Sequence, residues 1–161
     1  TEYEWELFSR AMIDLAKKDN SHPKIKFIKT NDYKLPLNDN QIDIVFANFV
    51  VHYITNTERQ FKEISRVMKR GAHFLAIFNC LTNDARYINK RVTMMLGKGK
   101  QASIVPIVSK SPDEIRRSLP LAGLEILKLS RVSNPDSQIN PKYDNKYKFK
   151  KQAYLLLARK I

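Results

Sequence analysis

The sequence predicts an α/β fold, a mostly parallel sheet with helices on its faces and an antiparallel strand pair at the C-terminus. Three observations carry that prediction. Short β-rich runs alternate with segments of helical periodicity. The runs 42–47 and 73–78 show almost no polar alternation, the pattern of strands covered on both faces. The last two runs, 124–132 and 149–159, have no helix between them and so should pair antiparallel. With 161 residues, 43% apolar and 28% charged, the chain has material for one core, and 1–161 is expected to be a single domain.

The elements follow in order. Tyr3 to Phe8 reads as a short strand. Ser9 is placed as the N-cap of a helix through Lys18, with Met12, Leu15 and Ala16 on one face. Lys24 to Ile28 alternates basic and apolar residues and reads as an edge strand. Asn31 to Asn40 is polar, contains Pro36 and reads as a loop. Ile42 to Ala47 is the first doubly covered strand. Thr55-Asn56-Thr57-Glu58 has capping-box spacing, with Thr55 as the cap. The helix behind it places Phe61, Ile64, Val67 and Met68 on one face and ends near Gly71. His73 to Phe78 is the next buried strand, and Asp84 to Leu96 is expected to be helical. Ser111-Pro112-Asp113-Glu114 combines a hydroxyl cap, a first-turn proline and a third-position carboxylate. Its helix is limited by Pro120 and closed by Gly123. Leu124 to Val132 and Phe149 to Arg159 are strands, separated by a polar loop from Ser133 to Asn145.

Composition narrows the function. The single Cys80 rules out an internal disulfide and a multi-cysteine zinc site. His22 and His73 have no ligand spacing, so no metal site is expected. No apolar run is long enough to span a membrane. The scarcity of cysteine fits a reducing interior, so an intracellular place, cytoplasmic or organellar, is expected. The net charge of +13 is uneven. Nine basic residues lie between Arg66 and Lys110 with Asp84 as the sole acid. Lys142, Lys146, Lys148, Lys150 and Lys151 are interleaved with Tyr143, Tyr147 and Phe149. Such fields attract RNA or another anionic partner, and equally describe a solvated lysine-rich surface. Glycine is scarce, four in the chain and none among the first 70 residues. The run Gly97-Lys98-Gly99-Lys100-Gln101-Ala102 fits G-x-G-x-x-A, but it lacks the strand before and the helix after that a phosphate cradle needs. It reads as a flexible basic loop near a substrate entrance.

Several stretches carry a family resemblance. They are Ile28-Lys29-Thr30-Asn31-Asp32-Tyr33-Lys34-Leu35-Pro36-Leu37, Gln41-Ile42-Asp43-Ile44-Val45, Phe49-Val50-Val51-His52-Tyr53-Ile54 and Lys62-Glu63-Ile64-Ser65-Arg66-Val67-Met68-Lys69-Arg70-Gly71. With Ala122-Gly123-Leu124-Glu125 and the final strand, they resemble the class I S-adenosylmethionine-dependent methyltransferases, in particular the group with an LPF-type loop. The resemblance implies a Rossmann-like methyltransferase sheet, S-adenosyl-L-methionine as cofactor and methyl transfer to an unknown acceptor, a small molecule or RNA. Its site residues map onto Glu6 for the ribose hydroxyls, Asn31, Asp32 and Tyr33 near the adenine, and Asn48 and His52 where cofactor and acceptor meet. A carboxylate suits paired ribose hydroxyls because both bonds are charge-assisted. His52 is the one candidate base, and a packing role competes with it; for Asn48, ligand contact and simple strand-end capping stand equally. Asp43 is expected to serve structure, and Glu63 with Arg66 to form an exposed ion pair.

The chain also departs from the family. The family's first strand and glycine-rich loop should precede Tyr3 and are expected to be missing from the fold. Glu6 lies one position from the usual acid, Asn31 stands where an acid is usual, and Arg70 and Ala72 replace Pro and Gly in the turn before the next strand. A second reading therefore stands beside the enzyme: a catalytically inactive methyltransferase-like domain serving as a structural or RNA-binding subunit of a larger assembly.

Overall fold

The computed structural model describes residues 13–20, 22–28, 33–80, 91–96, 103–108, 110–132 and 152–161. It describes the backbone alone for 52, 79, 80, 91–96, 103–108 and 152. The chain divides into two compact units, Thr1–Asn38 and Asp39–Ile161.

In the first unit, helix α1 covers 13–19, the described part of the helix expected from Ser9. It closes where the Asn20 amide and side chain both bond to the Ala16 carbonyl. Residues 25–28 do not form the expected strand. His22 and Pro23 open a turn instead, in which the Ile25 N–H donates to the His22 carbonyl and the Lys24 N–H to His22 Nδ1. No described strand pairs with this stretch, and alternation alone does not make a strand without a ladder. Residues 33–40 are irregular, as the proline and polar content predict. The strand expected at 3–8 lies outside the described residues, as does the loop 133–145.

The second unit contains β1 (Ile42–Asn48), a 3-10 turn η1 (Val51–Tyr53), α2 (Thr57–Val67), β2 (Met68–Cys80), β3 (Arg91–Leu96), β4 (Ser103–Val108), α3 (Pro112–Leu121), β5 (Leu124–Val132) and β6 (Gln152–Lys160). The sheet order is β1-β2-β6-β5, and β3-β4 form a separate antiparallel hairpin. β1 and β2 are parallel, joined through α2, while β2-β6 and β6-β5 are antiparallel. The predicted C-terminal antiparallel pair is therefore present, inside a sheet whose described part is mixed.

One face of this sheet builds the core. Phe74, Ala76 and Phe78 of β2 stand in register with Ala158, Leu156 and Tyr154 of β6. They pack with Phe61 and Ile64 of α2 and with Ile115 and Leu119 of α3. The Phe61 and Phe74 rings meet edge to face at 5.9 Å, the arrangement their quadrupoles favour. A register shift between Ile126 and Lys128 leaves Leu127 exposed and turns both Ile126 and Leu129 to the core. A bulge explains how apolar positions three apart share one face of a strand.

Three sequence expectations change here. First, β1 is covered on one face only: Val45 and Ala47 pack on the core, but Ile44 is 69% and Phe46 57% exposed. Second, α2 begins one residue late. Asn56, not Thr55, is the cap, its side chain accepting from the Arg59 N–H at 3.0 Å. The helix ends at Val67, and Gly71, at φ +79°, lies inside β2 where the pairing with β1 slips. Third, residues 91–96 of the expected 84–96 helix are strand β3, paired from Arg91 with Val108 to Leu96 with Ser103. Helical spacing of Val92 and Met95 yields to a β-rich partner, Ile104 to Val108, across the intervening loop. Residues 84–90 lie outside the described residues.

The start of α3 follows its sequence signature. Ser111 Oγ accepts from the Glu114 N–H at 3.0 Å, with Pro112 at the first turn. Gly123, at φ +72°, closes the helix by donating to the Pro120 carbonyl.

Candidate functional site

The site forms at the carboxyl end of β1. Open α/β sheets leave a crevice there, because backbone groups beyond the last ladder bond are free to meet a ligand. Asn48 is the final residue of β1, in register with Ile77 and exposed. Phe49 follows with φ +53°, a left-handed backbone that bulky residues rarely adopt. Its N–H donates to the Ile77 carbonyl at 2.7 Å, which holds the reversal in place. Strain of this kind persists where the surroundings determine it. Val51 supplies the second restraint, since it opens η1 and is fully buried in the core cluster. The turn leaves Phe49 42% and Val50 49% exposed beside Asn48.

His52 lies in the middle of η1, closed by the Tyr53 N–H to the Val50 carbonyl and the Ile54 N–H to the Val51 carbonyl. Both β2 and β4 lie against η1. The hairpin that replaces the expected helix thus borders the segment that carries His52. The loop 97–102, read as a basic entrance loop, connects β3 to β4 and lies outside the described residues.

Of the six expected site residues, Asn48 ends β1 and the backbone of His52 lies in η1. Tyr33 is half-buried in the first unit. Glu6, Asn31 and Asp32 lie outside the described residues. Asp43 forms an exposed ion pair, with Lys69 Nζ donating to both its carboxylate oxygens at 2.8 and 2.9 Å. Arg66 bonds Glu63 as the helix spacing predicts, at 2.6 and 2.8 Å. The pair is half-buried rather than exposed, and Asp39 joins it. Hydrogen bonding to Glu63, and next to Asp39, pushes the Arg66 pKa up.

Sequence reasoning missed Lys110. It was counted in a basic surface stretch, but it is 1% exposed and paired with Glu114. Arg66 and Lys69 of the same stretch are also paired with acids. The one signal that could have found Lys110 is its i, i+4 spacing to Glu114 across a strong helix start. Among the described residues no group of three His, Cys, Asp or Glu could hold a metal ion. No helix among them is long and apolar enough to cross a membrane.

Comparison with known proteins gives a likeness over part of the sequence and a shared fold. Residues 8–76 match the family described as "Methyltransferase domain", a match that runs unbroken across both compact units. Residues 8–76, less than half of the chain, are thus similar to a methyltransferase domain. Over 67 residues the chain is 33% identical to the sterol 4-C-methyltransferase strm-1 of Caenorhabditis elegans, which is 42% of this chain and 20% of that one. The match therefore spans a fifth of the length of this curated relative. Among solved structures, a Listeria monocytogenes protein assigned to the S-adenosylmethionine-dependent methyltransferases superposes with a TM-score of 0.69 at 14% identity. That match covers 95% of this chain and 77% of that one. The [4+2]-cyclase SpnF superposes at 0.65 with 19% identity, covering 94% and 62%. Geranyl diphosphate C-methyltransferase of Streptomyces coelicolor A3(2), solved with S-adenosyl-L-homocysteine, reaches 0.62 at 15% identity, covering 95% and 59%. The Rossmann-like methyltransferase fold is common to all three.

Proposed function

We propose that the chain binds S-adenosyl-L-methionine at the carboxyl end of β1 and transfers its methyl group to a small, largely apolar acceptor. The observation that carries this reading is the strand end itself. An exposed Asn48 stands beside the Phe49 reversal and the exposed Phe49 and Val50, within the segment that matches the methyltransferase family. The residues present fit such a cofactor. A carboxamide both donates and accepts hydrogen bonds, which suits a nucleoside edge, and the adjacent apolar side chains suit its unprotonated faces.

When bound, the cofactor supplies a methyl group on a positively charged sulfur with a good leaving group. The chain's own task is then alignment and exclusion of water. Asn48 orients the ligand at the strand end, and Phe49 and Val50 form the dry wall. The resemblance assigns the ribose hydroxyls to Glu6 and the adenine side of the cofactor to Asn31, Asp32 and Tyr33. His52 is the candidate to take a proton at an imidazole nitrogen when the acceptor atom carries one. The name of the sterol methyltransferase relative and the apolar side chains at the strand end both favour a small apolar acceptor. SpnF, a cyclase on this fold, is the reason the activity is tested directly rather than assumed from architecture.

The test is calorimetric titration of the chain with S-adenosyl-L-homocysteine. Micromolar binding, weakened at least tenfold by Asn48→Ala and by Asn31→Ala, is the expected result. A folded chain that takes up no ligand at millimolar concentration would overturn the enzyme reading and leave the inactive domain in its place. Label transfer from methyl-tritiated cofactor to a panel of apolar alcohols and to RNA would then identify the acceptor.

A further inference from the structure

Lys110 lies just beyond β4 and is 1% exposed. Its Nζ donates to Thr57 Oγ1 at 2.5 Å and to Glu114 Oε1 at 3.1 Å. Thr57 Oγ1 in turn donates to the same Glu114 oxygen at 2.6 Å. Each of the three residues therefore bonds the other two, and the ring closes. The ring joins two stretches distant in sequence: residues 110–114, which lead from the exit of β4 into the first turn of α3, and the first residue of α2. The other carboxylate oxygen, Glu114 Oε2, is buried without a hydrogen-bond partner. Lys110 and Thr57 thus supply the side-chain compensation for that charge.

A buried ion pair is a poor choice for stability alone, since apolar residues of similar volume often hold as well or better. What a closed ring of directional bonds adds is a fixed relative position. Here the position is that of the β3–β4 hairpin. β4 lies against η1, and Lys110 ties the strand's exit to Thr57, at the end of the loop that η1 begins. The hairpin is thereby attached to the segment 51–57 at two places. One is the approach of β4 to η1 and the other is a hydrogen-bonded lock.

We propose that Lys110, acting through Thr57 and Glu114, is a positioning residue that sets the β3–β4 hairpin against η1 and so fixes the wall beside His52. The consequence for catalysis rests on the reading above, in which η1 borders the acceptor. The lock itself can be tested without that reading. Residue-resolved amide exchange on the full chain compares the parent with Thr57→Val, Thr57→Ser and Lys110→Met. In Thr57→Val and Lys110→Met, the amides of 103–105, 107–108 and 51–53 exchange at least tenfold faster. Those of Phe74–Phe78 and Tyr154–Ala158, which report opening of the whole sheet, stay within threefold. Thr57→Ser keeps the hydroxyl and restores parent rates throughout. Where Lys110→Met accelerates the whole sheet, Lys110→Met combined with Glu114→Gln removes both charges and returns the sheet amides, but not those of β4 and η1, to parent rates. Equal acceleration of all four segments in Thr57→Val and in the double variant, or unchanged rates in 103–105, 107–108 and 51–53, would overturn the proposal. Calorimetry with S-adenosyl-L-homocysteine on the same samples keeps the two readings apart. Absence of binding by the parent counts against the cofactor site, whereas the exchange pattern judges the lock.

Discussion

Phe49 shows what the site demands of a single residue. A left-handed backbone costs a non-glycine residue about 1–2 kcal/mol, and its ring is only partly covered. Phe49→Gly would relieve the first term and forfeit part of a ring burial of similar size. Its net effect on stability in urea unfolding is therefore expected within about 1 kcal/mol of zero. Phe61 carries the same ring, fully buried against Phe74, and Phe61→Ala is expected to cost about 3–5 kcal/mol. A large loss in Phe49→Gly would mean that the ring, not the backbone, determines that position. Lys110 belongs to the same scale. Nothing within its neighbourhood in sequence marks it as buried, because its Thr57 partner lies across the fold. Only the short-range half of the cluster, Lys110 to Glu114, was open to a reader of the sequence.

Elements were legible where local and tertiary preferences agree. Helix α3 starts at its hydroxyl cap and ends at its glycine because the bonds involved are short-range. The strand at 124–132 follows from a β-rich run bounded by glycine. The parallel β1–β2 pair and the antiparallel end follow from where helices do and do not intervene. Legibility failed where pairing decides. Residues 91–96 became a strand because 103–108 offered a ladder, and 25–28 are irregular, with no described strand pairing with them. The cap of α2 is the sharpest local case. Three candidate caps stand in a row, Thr55, Asn56 and Thr57, and spacing favours the first. Thr57 is instead drawn to Glu114, and Asn56 takes the cap. Asn56→Ala and Ser111→Ala should each cost about 1 kcal/mol in chemical denaturation, with Thr55→Ala costing less than either. The reverse order between positions 55 and 56 would place the helix start where the spacing puts it.

Two properties belong to the whole molecule, its charge and its response to ligand. If the net charge of +13 serves as an RNA-binding field rather than a solvated surface, the attraction weakens as counterions compete. Binding to a random-sequence RNA should therefore fall steeply between 50 and 200 mM salt, the range over which such contacts lose roughly 10³–10⁵ in affinity. A salt-independent association would rule out the basic field as its cause. Cofactor binding should behave differently, since the Asn48 end of β1 offers a neutral amide and apolar neighbours rather than a cluster of cations. It should also couple to folding. A ligand bound by the folded chain alone stabilises it by about 2.7 kcal/mol at a hundredfold excess over its Kd. Each kcal/mol is worth roughly 2–4 °C in Tm for a domain of this size. S-adenosyl-L-homocysteine at that excess should thus raise Tm by about 5–10 °C, with a shift that survives 200 mM salt. In Asn48→Ala, held at the same ligand concentration, a tenfold weaker Kd lowers the excess to about ten and the stabilisation to about 1.4 kcal/mol, roughly halving the shift. A shift abolished by salt would assign the ligand to the basic surface, and a shift unchanged in Asn48→Ala would move the binding site away from the end of β1.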